Sequence, residues 1–133
     1  MTTFFTDLSL YVPAIQENID ANEDTISSNV AARHIDWNDD VPEDLRNQAD
    51  TVFVCDCVYY EASLDPLIKT VCDLLKPRQE SLVILAYERR ADKVDIYTEF
   101  FDKVKKLFLI EEVLNEKLKN KNDVFLLKMK LRL

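Results

Sequence analysis

Thr51-Val-Phe-Val-Cys55, followed by Asp56-Cys-Val-Tyr-Tyr60, decides the fold of this chain. The first five residues are mostly apolar or β-branched and do not alternate with polar residues, which is typical of a strand buried on both faces of a parallel sheet. The strand then ends on Asp56, and open α/β sheets bind ligands at the carboxyl ends of such strands. The stretch therefore predicts a buried strand that carries a functional carboxylate at its end. The plainer interpretation is that Asp56 caps a turn and that Tyr59 and Tyr60 fill the rim of the sheet.

Strands and helices alternate along most of the chain, which predicts an α/β sandwich with a mixed sheet. Apolar residues at helical spacing predict helices near residues 12–22, 64–75 and 91–108. The predicted strands are Thr2–Thr6, Val30–Ile35, Thr51–Cys55, Ser81–Tyr87, Leu107–Val113 and Val124–Leu131. Between the last two strands there is no helix, only a connection rich in Lys and Asn, so these two are expected to pair antiparallel.

Composition narrows the possible partners and the cellular compartment. The net charge is −8, so the basic surface that nucleic acids or anionic membranes require is not expected. Apolar runs all fall short of the ~20 residues of a membrane span. There are three cysteines and one histidine, His34, which lies far from Cys55 and Cys57 in sequence, so no metal site is expected. We expect buried, reduced cysteines in a cytoplasmic protein, with the nucleus as an alternative location.

Four short motifs occur in a fixed order along the chain. They are Thr6-Asp7-Leu8, Asp36-Trp37, the segment from Asp56 to Thr70, which begins Asp-Cys-Val-Tyr, and Ala86-Tyr-Glu-Arg-Arg90. Together they resemble the seven-β-strand protein-lysine methyltransferases, and the likeness is greatest to members that methylate valosin-containing protein. The resemblance implies a Rossmann-like fold, S-adenosylmethionine as methyl donor and a lysine ε-amine of a protein as acceptor. A chaperone or an AAA ATPase such as valosin-containing protein is the implied partner.

The resemblance also implies roles for individual residues. Asp7 would bind the ribose of the cofactor, Trp37 would stack on its adenine, and the backbone of Cys55 would line the cofactor pocket. On sequence alone, Asp7 is equally well a helix cap and Trp37 a core aromatic residue.

The substrate end of the site follows from the same resemblance. Asp56 and Tyr59 would orient the lysine amine, and Tyr60, Tyr87 and Glu88 would line the mouth of the site. The alternative for Tyr87 and Glu88 is a strand end that only caps the rim of the sheet.

The chain contains no glycine, although the cofactor loop after the first strand of such enzymes needs glycine for close backbone approach and positive φ. We therefore expect residues 1–133 to be a partial S-adenosylmethionine-dependent methyltransferase domain that runs from the second strand to the C-terminus. The strand Thr2–Thr6 would either pair with Thr51–Cys55 or leave an open slot, and unpaired buried backbone groups cost about 1–3 kcal/mol each. An open slot predicts a marginally stable or partner-dependent protein.

Two other functions remain open at this point. The first is a non-catalytic remnant of the same fold that serves as an interaction module, and the missing glycine loop favours it. The second is a fragment of a nicotinamide-binding Rossmann protein. Such proteins share the acidic residue after the second strand, here Asp7. The Asp-x-x-Tyr segment at Asp56 and the predicted antiparallel tail argue against the nicotinamide interpretation.

Overall fold

The computed structural model describes residues 2–113 and 124–132, and the connection expected between the last two strands lies outside these ranges. The chain forms two compact units, Met1–Pro42 and Glu43–Leu133. All six predicted strands are present, and each of their ends lies within one residue of the predicted position. The predicted single domain over residues 1–133 stays a prediction, and the two units are described separately below.

The first unit is a β-α-β arrangement. Strand β1 (Thr2–Asp7) is followed by helix α1 (Val12–Asp20) and strand β2 (Asn29–His34). The two strands are parallel. Helix α1 accepts Pro13 because the missing N–H falls in the first turn, where it would have no partner in the helix. The side chain of Gln16 ties the helix to the sheet, since its Oε1 accepts a hydrogen bond from the N–H of Ala32 at 3.2 Å.

The second unit contains a four-stranded mixed sheet in the order β3-β4-β6-β5. Its elements are β3 (Thr51–Cys55), α2 (Leu64–Leu74), β4 (Leu82–Glu88), α3 (Val94–Val104), β5 (Phe108–Glu112) and β6 (Val124–Leu131). β3 and β4 are parallel, whereas β6 is antiparallel to both β4 and β5. The expected antiparallel pairing of the last two strands is therefore confirmed, and so is the mixed sheet.

The core of this unit lies between the sheet and its two helices. Strand residues and helix residues line a common apolar space, namely Val54, Leu67, Ile68, Val71, Phe100, Val104, Phe108 and Met129. In β4, Val83 and Leu85 are fully buried, whereas Leu82, Ile84 and Ala86 between and beside them are half-buried, as expected for side chains that alternate between two faces. In α2 and α3 the apolar residues recur at helical spacing and so form one buried stripe on each helix. With 11 residues each, α2 and α3 are the longest helices described, and no described helix is long and apolar enough to cross a membrane.

The prediction that Thr51–Cys55 is buried on both faces is wrong. Val54 is buried, but Phe53 is 70% exposed and Cys55 is also exposed. Val54 shares the apolar space with residues of both helices of the unit, whereas Phe53 points to the opposite face of the strand. Among the described residues no helix buries that second face. The apolar sequence of Thr51–Cys55 indicates that the segment is a strand. It does not indicate how many faces of that strand are covered by helices.

Strands β1 and β3 belong to different hydrogen-bonded sheets, so the expected alternative in which Thr2–Thr6 pairs with Thr51–Cys55 is not found in the described part of the chain. β3 has β4 on one side, and no described strand pairs with its other edge. An exposed strand edge beside the exposed ring of Phe53 is a surface that favours association with another polypeptide.

Two phenylalanines of the same sheet test this one-sided burial. Phe108 is 1% exposed and Phe53 is 70% exposed. We expect Phe108→Ala to lower the free energy of unfolding by about 3–5 kcal/mol. Phe53→Ala is expected to change it by less than about 1 kcal/mol, since only local strand preference is altered. Urea unfolding followed by circular dichroism measures both. Equal losses from the two substitutions would contradict one-sided burial.

Candidate active site

Asp56, the residue that follows strand β3, has an unusual backbone conformation. Its φ is 52°, in the left-handed region that Asp and Asn tolerate better than most residues other than glycine. The N–H of Asp56 still donates to the carbonyl oxygen of Ala86 at 2.8 Å, so the pairing of β3 with β4 extends one residue past the strand. This bond fixes the start of the turn that displays the carboxylate.

The carboxylate of Asp56 forms an ion pair with the side chain of Arg90. Nη2 of Arg90 donates to Oδ2 of Asp56 at 2.9 Å, and the two side chains are 45% and 54% exposed. Arg90 follows β4, the strand that pairs with β3, so the contact joins the carboxyl ends of two parallel neighbours. An ion pair of this exposure contributes little to stability, typically about 0–1 kcal/mol. The pair therefore adds little to holding the fold together.

Tyr59 and Tyr60 lie next to each other beyond this turn. Their rings are 4.7 Å apart in an edge-to-face arrangement. Tyr59 is half-buried, whereas Tyr60 is 63% exposed and carries the Nζ of Lys93 at 6.0 Å from its ring centroid. Val58, 2% exposed, anchors the segment in the core. An accessible aromatic ring thus follows the carboxylate by four positions, and it already has an ammonium group over its face.

The cysteines around Asp56 differ from the buried thiols expected. Cys55 is exposed on the uncovered face of β3, and Cys57 and Cys72 are half-buried. None of the three forms a disulfide. The Sγ of Cys57 donates to the carbonyl oxygen of Cys55 at 3.3 Å, which tightens the turn. Within residues 2–113 and 124–132, no group of three or more His, Cys, Asp or Glu side chains is arranged to hold a metal ion.

Tyr87 lies in an aromatic cluster at the end of β4. Its ring centroid is 5.2 Å from that of Tyr97, 5.7 Å from Phe101 and 5.3 Å from Phe125. Burial in this cluster raises the pKa of Tyr87 above its ordinary value of 10.0, so the phenol is neutral at physiological pH. The next residue, Glu88, is exposed, and its carbonyl oxygen accepts a hydrogen bond from the hydroxyl of Tyr97 at 2.8 Å.

In the first unit, Asp7 ends β1 and is exposed. Its Oδ1 accepts the N–H of Leu8 at 2.7 Å. The N-cap of helix α1 is Tyr11, which has no side-chain cap bond, so the alternative in which Asp7 caps this helix is wrong. Trp37 is half-buried and follows Asp36, whose Oδ1 accepts two hydrogen bonds from Asn38 at 2.9 Å. These two bonds lower the pKa of the Asp36 carboxyl group.

The structure places the predicted residues in two groups. Asp56, Tyr59, Tyr60, Tyr87 and Glu88 all lie in the second unit, at or just beyond the carboxyl ends of β3 and β4. Asp7 and Trp37 lie in the first unit, and the prediction that they share one cleft with Asp56 stays a prediction.

Two residues at this site were missed from the sequence. Arg90 contacts Asp56 and Lys93 contacts Tyr60, and both lie in the connection from β4 to α3. The only signal was the position of Arg90 at the end of the Tyr-Glu-x-Arg motif. Its partner lies 34 residues away in sequence, so the contact depends on the register of β3 against β4.

The fold is the Rossmann-like fold of solved methyltransferases. The protein PH0226 of Pyrococcus horikoshii superposes with a TM-score of 0.70 at 15% identity, over 99% of this chain and 72% of that protein. The trans-methyltransferase CalH, solved with SAH, superposes with a TM-score of 0.60 at 16% identity, over 97% of this chain and 42% of CalH. At these identities the two structures establish the fold alone.

Sequence comparison then gives the family. The lysine methyltransferase family profile matches residues 1–107, so the chain belongs to this family. The protein-lysine N-methyltransferase EFM6 of Saccharomyces cerevisiae is 30% identical over 120 residues, which is 83% of this chain. The match covers 46% of EFM6, so the chain spans less than half the length of this relative.

The left-handed backbone at Asp56 gives a prediction on stability. Alanine costs about 1–2 kcal/mol in this region, whereas glycine adopts it readily. We expect Asp56→Ala to be less stable than Asp56→Gly by about 1 kcal/mol in urea unfolding. Asp92 is the matched control, because it lies in a 3₁₀ turn with negative φ, where alanine should be at least as stable as glycine. The same order at both positions would contradict a conformational role for Asp56.

Proposed function

We propose that this chain forms part of an S-adenosylmethionine-dependent protein-lysine N-methyltransferase. The observation that carries the proposal is the carboxylate of Asp56, which follows a parallel strand and holds a cationic side chain at 2.9 Å in a member of the lysine methyltransferase family. A site that accepts a guanidinium group there has the charge needed to accept the ammonium group of a lysine.

The chemistry explains why such a carboxylate is useful. Methyl transfer to nitrogen needs the neutral amine, and a lysine of pKa ~10.4 is neutral only about one part in a thousand near pH 7. That population corresponds to a deficit of roughly 4–5 kcal/mol. The site therefore has to bind the cation, release one proton to solvent and then hold the lone pair in line for transfer.

Asp56 and Tyr59 are proposed to orient the amine by hydrogen bonds. The ring of Tyr60 would stabilise the methylated cation, since aromatic faces attract cations by about 0.5–2 kcal/mol. We assign Tyr87 and Glu88 to the mouth of the site. The neutral phenol of Tyr87 supports this role, because it adds no charge that would compete with Asp56 for the incoming cation.

For the cofactor we propose Asp7, Trp37 and Cys55. Bound S-adenosylmethionine would supply the methyl group as a sulfonium. Asp7 fits the ribose because its carboxylate is exposed and, within residues 2–113 and 124–132, only Oδ1 has a partner, the N–H of Leu8, which leaves Oδ2 as an acceptor for a hydroxyl. Trp37 is half-buried and so has accessible surface for adenine. The backbone of Cys55 would line the pocket.

The methionine part of the cofactor has no obvious cradle in this chain. No glycine is present to let a backbone loop approach it. We propose that the missing strand and loop come from a polypeptide segment outside residues 1–133. The exposed face of β3, with Phe53 at 70% exposure, supports this because a Rossmann-like sheet is normally covered on both faces.

We further propose that the acceptor is a lysine of a folded protein such as a chaperone or an AAA ATPase, with valosin-containing protein as the first candidate to test. The motif from Asp56 to Thr70 supports this choice. The proposed location is the cytoplasm or the nucleus, where the three cysteines without disulfides would persist.

The rival function is a non-catalytic interaction module of the same fold. The absence of glycine and the apolar surface around Phe53 favour it. The two functions differ in whether S-adenosylmethionine binds once the proposed upstream segment is supplied, so cofactor binding with that segment present is the measurement that separates them.

Substitutions in the two units should separate substrate chemistry from cofactor binding. In a preparation that transfers methyl groups, we expect Asp56→Asn to reduce kcat at least tenfold with little change in the Kd of the cofactor. Asp7→Ala and Trp37→Ala should instead raise that Kd. Asp92→Asn, with the same loss of charge in the connection from β4 to α3, is the control. Full turnover by Asp56→Asn would remove this residue from the mechanism.

Residues 1–133 on their own are expected to bind S-adenosylmethionine weakly or not at all and to show no methyl transfer. Contacts to the methionine part are missing, and binding must also order what the absent strand would hold in place. Isothermal titration measures the affinity, and addition of an upstream segment encoded by the same gene should restore it if the protein is a methyltransferase. Micromolar binding with lysine methylation by residues 1–133 would show that the glycine loop is dispensable.

A further inference from the structure

The connection from β4 to α3 places three cations against groups of the second unit. Arg90 bonds to the carboxylate of Asp56 at 2.9 Å, and the ammonium group of Lys93 lies 6.0 Å from the ring centroid of Tyr60. The guanidinium of Arg89 instead lies 5.4 Å from the ring centroid of Phe125. Two of these cations therefore occupy the carboxylate and the aromatic ring that are proposed to receive the substrate lysine.

We propose that Arg90 is an internal competitor for the substrate-lysine site, so that an incoming lysine binds by displacing its guanidinium from Asp56. Lys93 acts in the same way, and more weakly, at Tyr60. This inference rests on the proposed function, since it concerns the same site, and it adds a specificity-determining residue to it. Entry of the substrate is then an exchange of one cation for another and not the filling of an empty acceptor.

The geometry of the ion pair between Arg90 and Asp56 would allow a lysine to replace the arginine. Only Oδ2 of Asp56 accepts a bond from Arg90, and Oδ1 makes no hydrogen bond within the described residues. The pair is therefore held at a single point and lacks the paired bonds that make an Arg–carboxylate contact strong. Both side chains are about half exposed, at 45% and 54%, so water can replace either partner during displacement.

A purely structural role for the ion pair is poorly supported. The ends of β3 and β4 are already joined by a parallel ladder that runs from Thr51 opposite Leu82 to Cys55 opposite Ala86. The N–H of Asp56 adds a further backbone bond at 2.8 Å. One exposed ion pair adds little to such a ladder, and so its loss should leave the strand pairing intact.

Arginine is also the cation that suits a competitor inside a methyltransferase of lysine. A guanidinium stays protonated in proteins, whereas a lysine amine loses its proton within reach of physiological pH when its surroundings favour that loss. Arg90 can therefore occupy Asp56 without becoming the neutral amine that a lysine methyltransferase modifies. The site thus carries a cation that competes for binding and is inert in the reaction.

The test measures cation binding without any cofactor. Residues 1–133 are titrated with Nα-acetyl-L-lysine N-methylamide at low ionic strength, and the amide signals of residues 56–60 are followed by NMR. We expect Arg90→Gln to lower the Kd of this probe by about two- to five-fold, the range that release of one exposed ion pair allows. Arg89→Gln is the matched control, because it removes the same charge from the same connection without touching Asp56. Any effect of net charge alone should appear equally in both variants, so the Kd of Arg90→Gln should lie below that of Arg89→Gln.

Two more variants complete the test. Arg90→Lys keeps a competing cation, so the Kd of the probe should stay close to that of the unmodified chain. Asp56→Asn should abolish the change in the amide signals, with or without Arg90→Gln. The proposal is overturned if Arg90→Gln binds the probe no more tightly than Arg89→Gln, or if neither binds it. Tighter binding by Arg90→Gln, together with no methyl transfer when the upstream segment is supplied, would instead overturn the proposed function and leave the exchange at Asp56 standing.

Discussion

The parallel pairing of β3 with β4 is the constraint on which the candidate site depends. Its register sets Cys55 opposite Ala86, and the extra bond from Asp56 to Ala86 carries the alignment into the turn. Residues that leave the two strands at this end are thereby brought together from distant parts of the sequence. A shift of one residue would turn Val54 to the open face and Phe53 into the core, because successive side chains of a strand point to opposite faces. The core thus fixes the register, and the register fixes the position of Asp56 relative to Arg90.

The sequence predicted the positions of the strands correctly, but it did not predict which of their residues are buried or which residues contact one another across the sheet. Strands such as Ser81–Tyr87 were found because a continuous apolar run needs only residue type to be recognised, and their ends shifted by one residue at most. The burial of Phe53 was predicted wrongly because hydrophobicity does not report whether a second layer of helices is present. The expected burial of Cys55 failed for the same reason. The contact between Asp56 and Arg90 was missed because it depends on strand register, which no local pattern contains.

This chain has no glycine, so other residue types must adopt the positive φ values that its tight turns require. Positive φ occurs in the described residues at two positions, Asn47 and Asp56, whose types tolerate the left-handed region best after glycine. Both side chains are short and polar. At Asp56 the residue type that the turn tolerates is also the type that the proposed chemistry needs. One residue would then supply both the carboxylate and the tight turn after the strand, whereas a glycine there would provide the turn and no charge.

Under the proposed function, the charge of the chain and the charge of the site would have opposite effects on a lysine substrate. The net charge of −8 attracts a basic partner from a distance. Arg89, Arg90 and Lys93 place positive charge in the connection from β4 to α3, where Asp56 and Tyr60 are already engaged by two of them. Because the field of exposed charges is screened within about 8 Å at physiological salt, the local cations dominate once the substrate arrives. Approach would then be general for basic surfaces, and selection would occur at Asp56. Under the proposed exchange, only a side chain that displaces a guanidinium from one carboxylate oxygen and then gives up its own proton would go on to react.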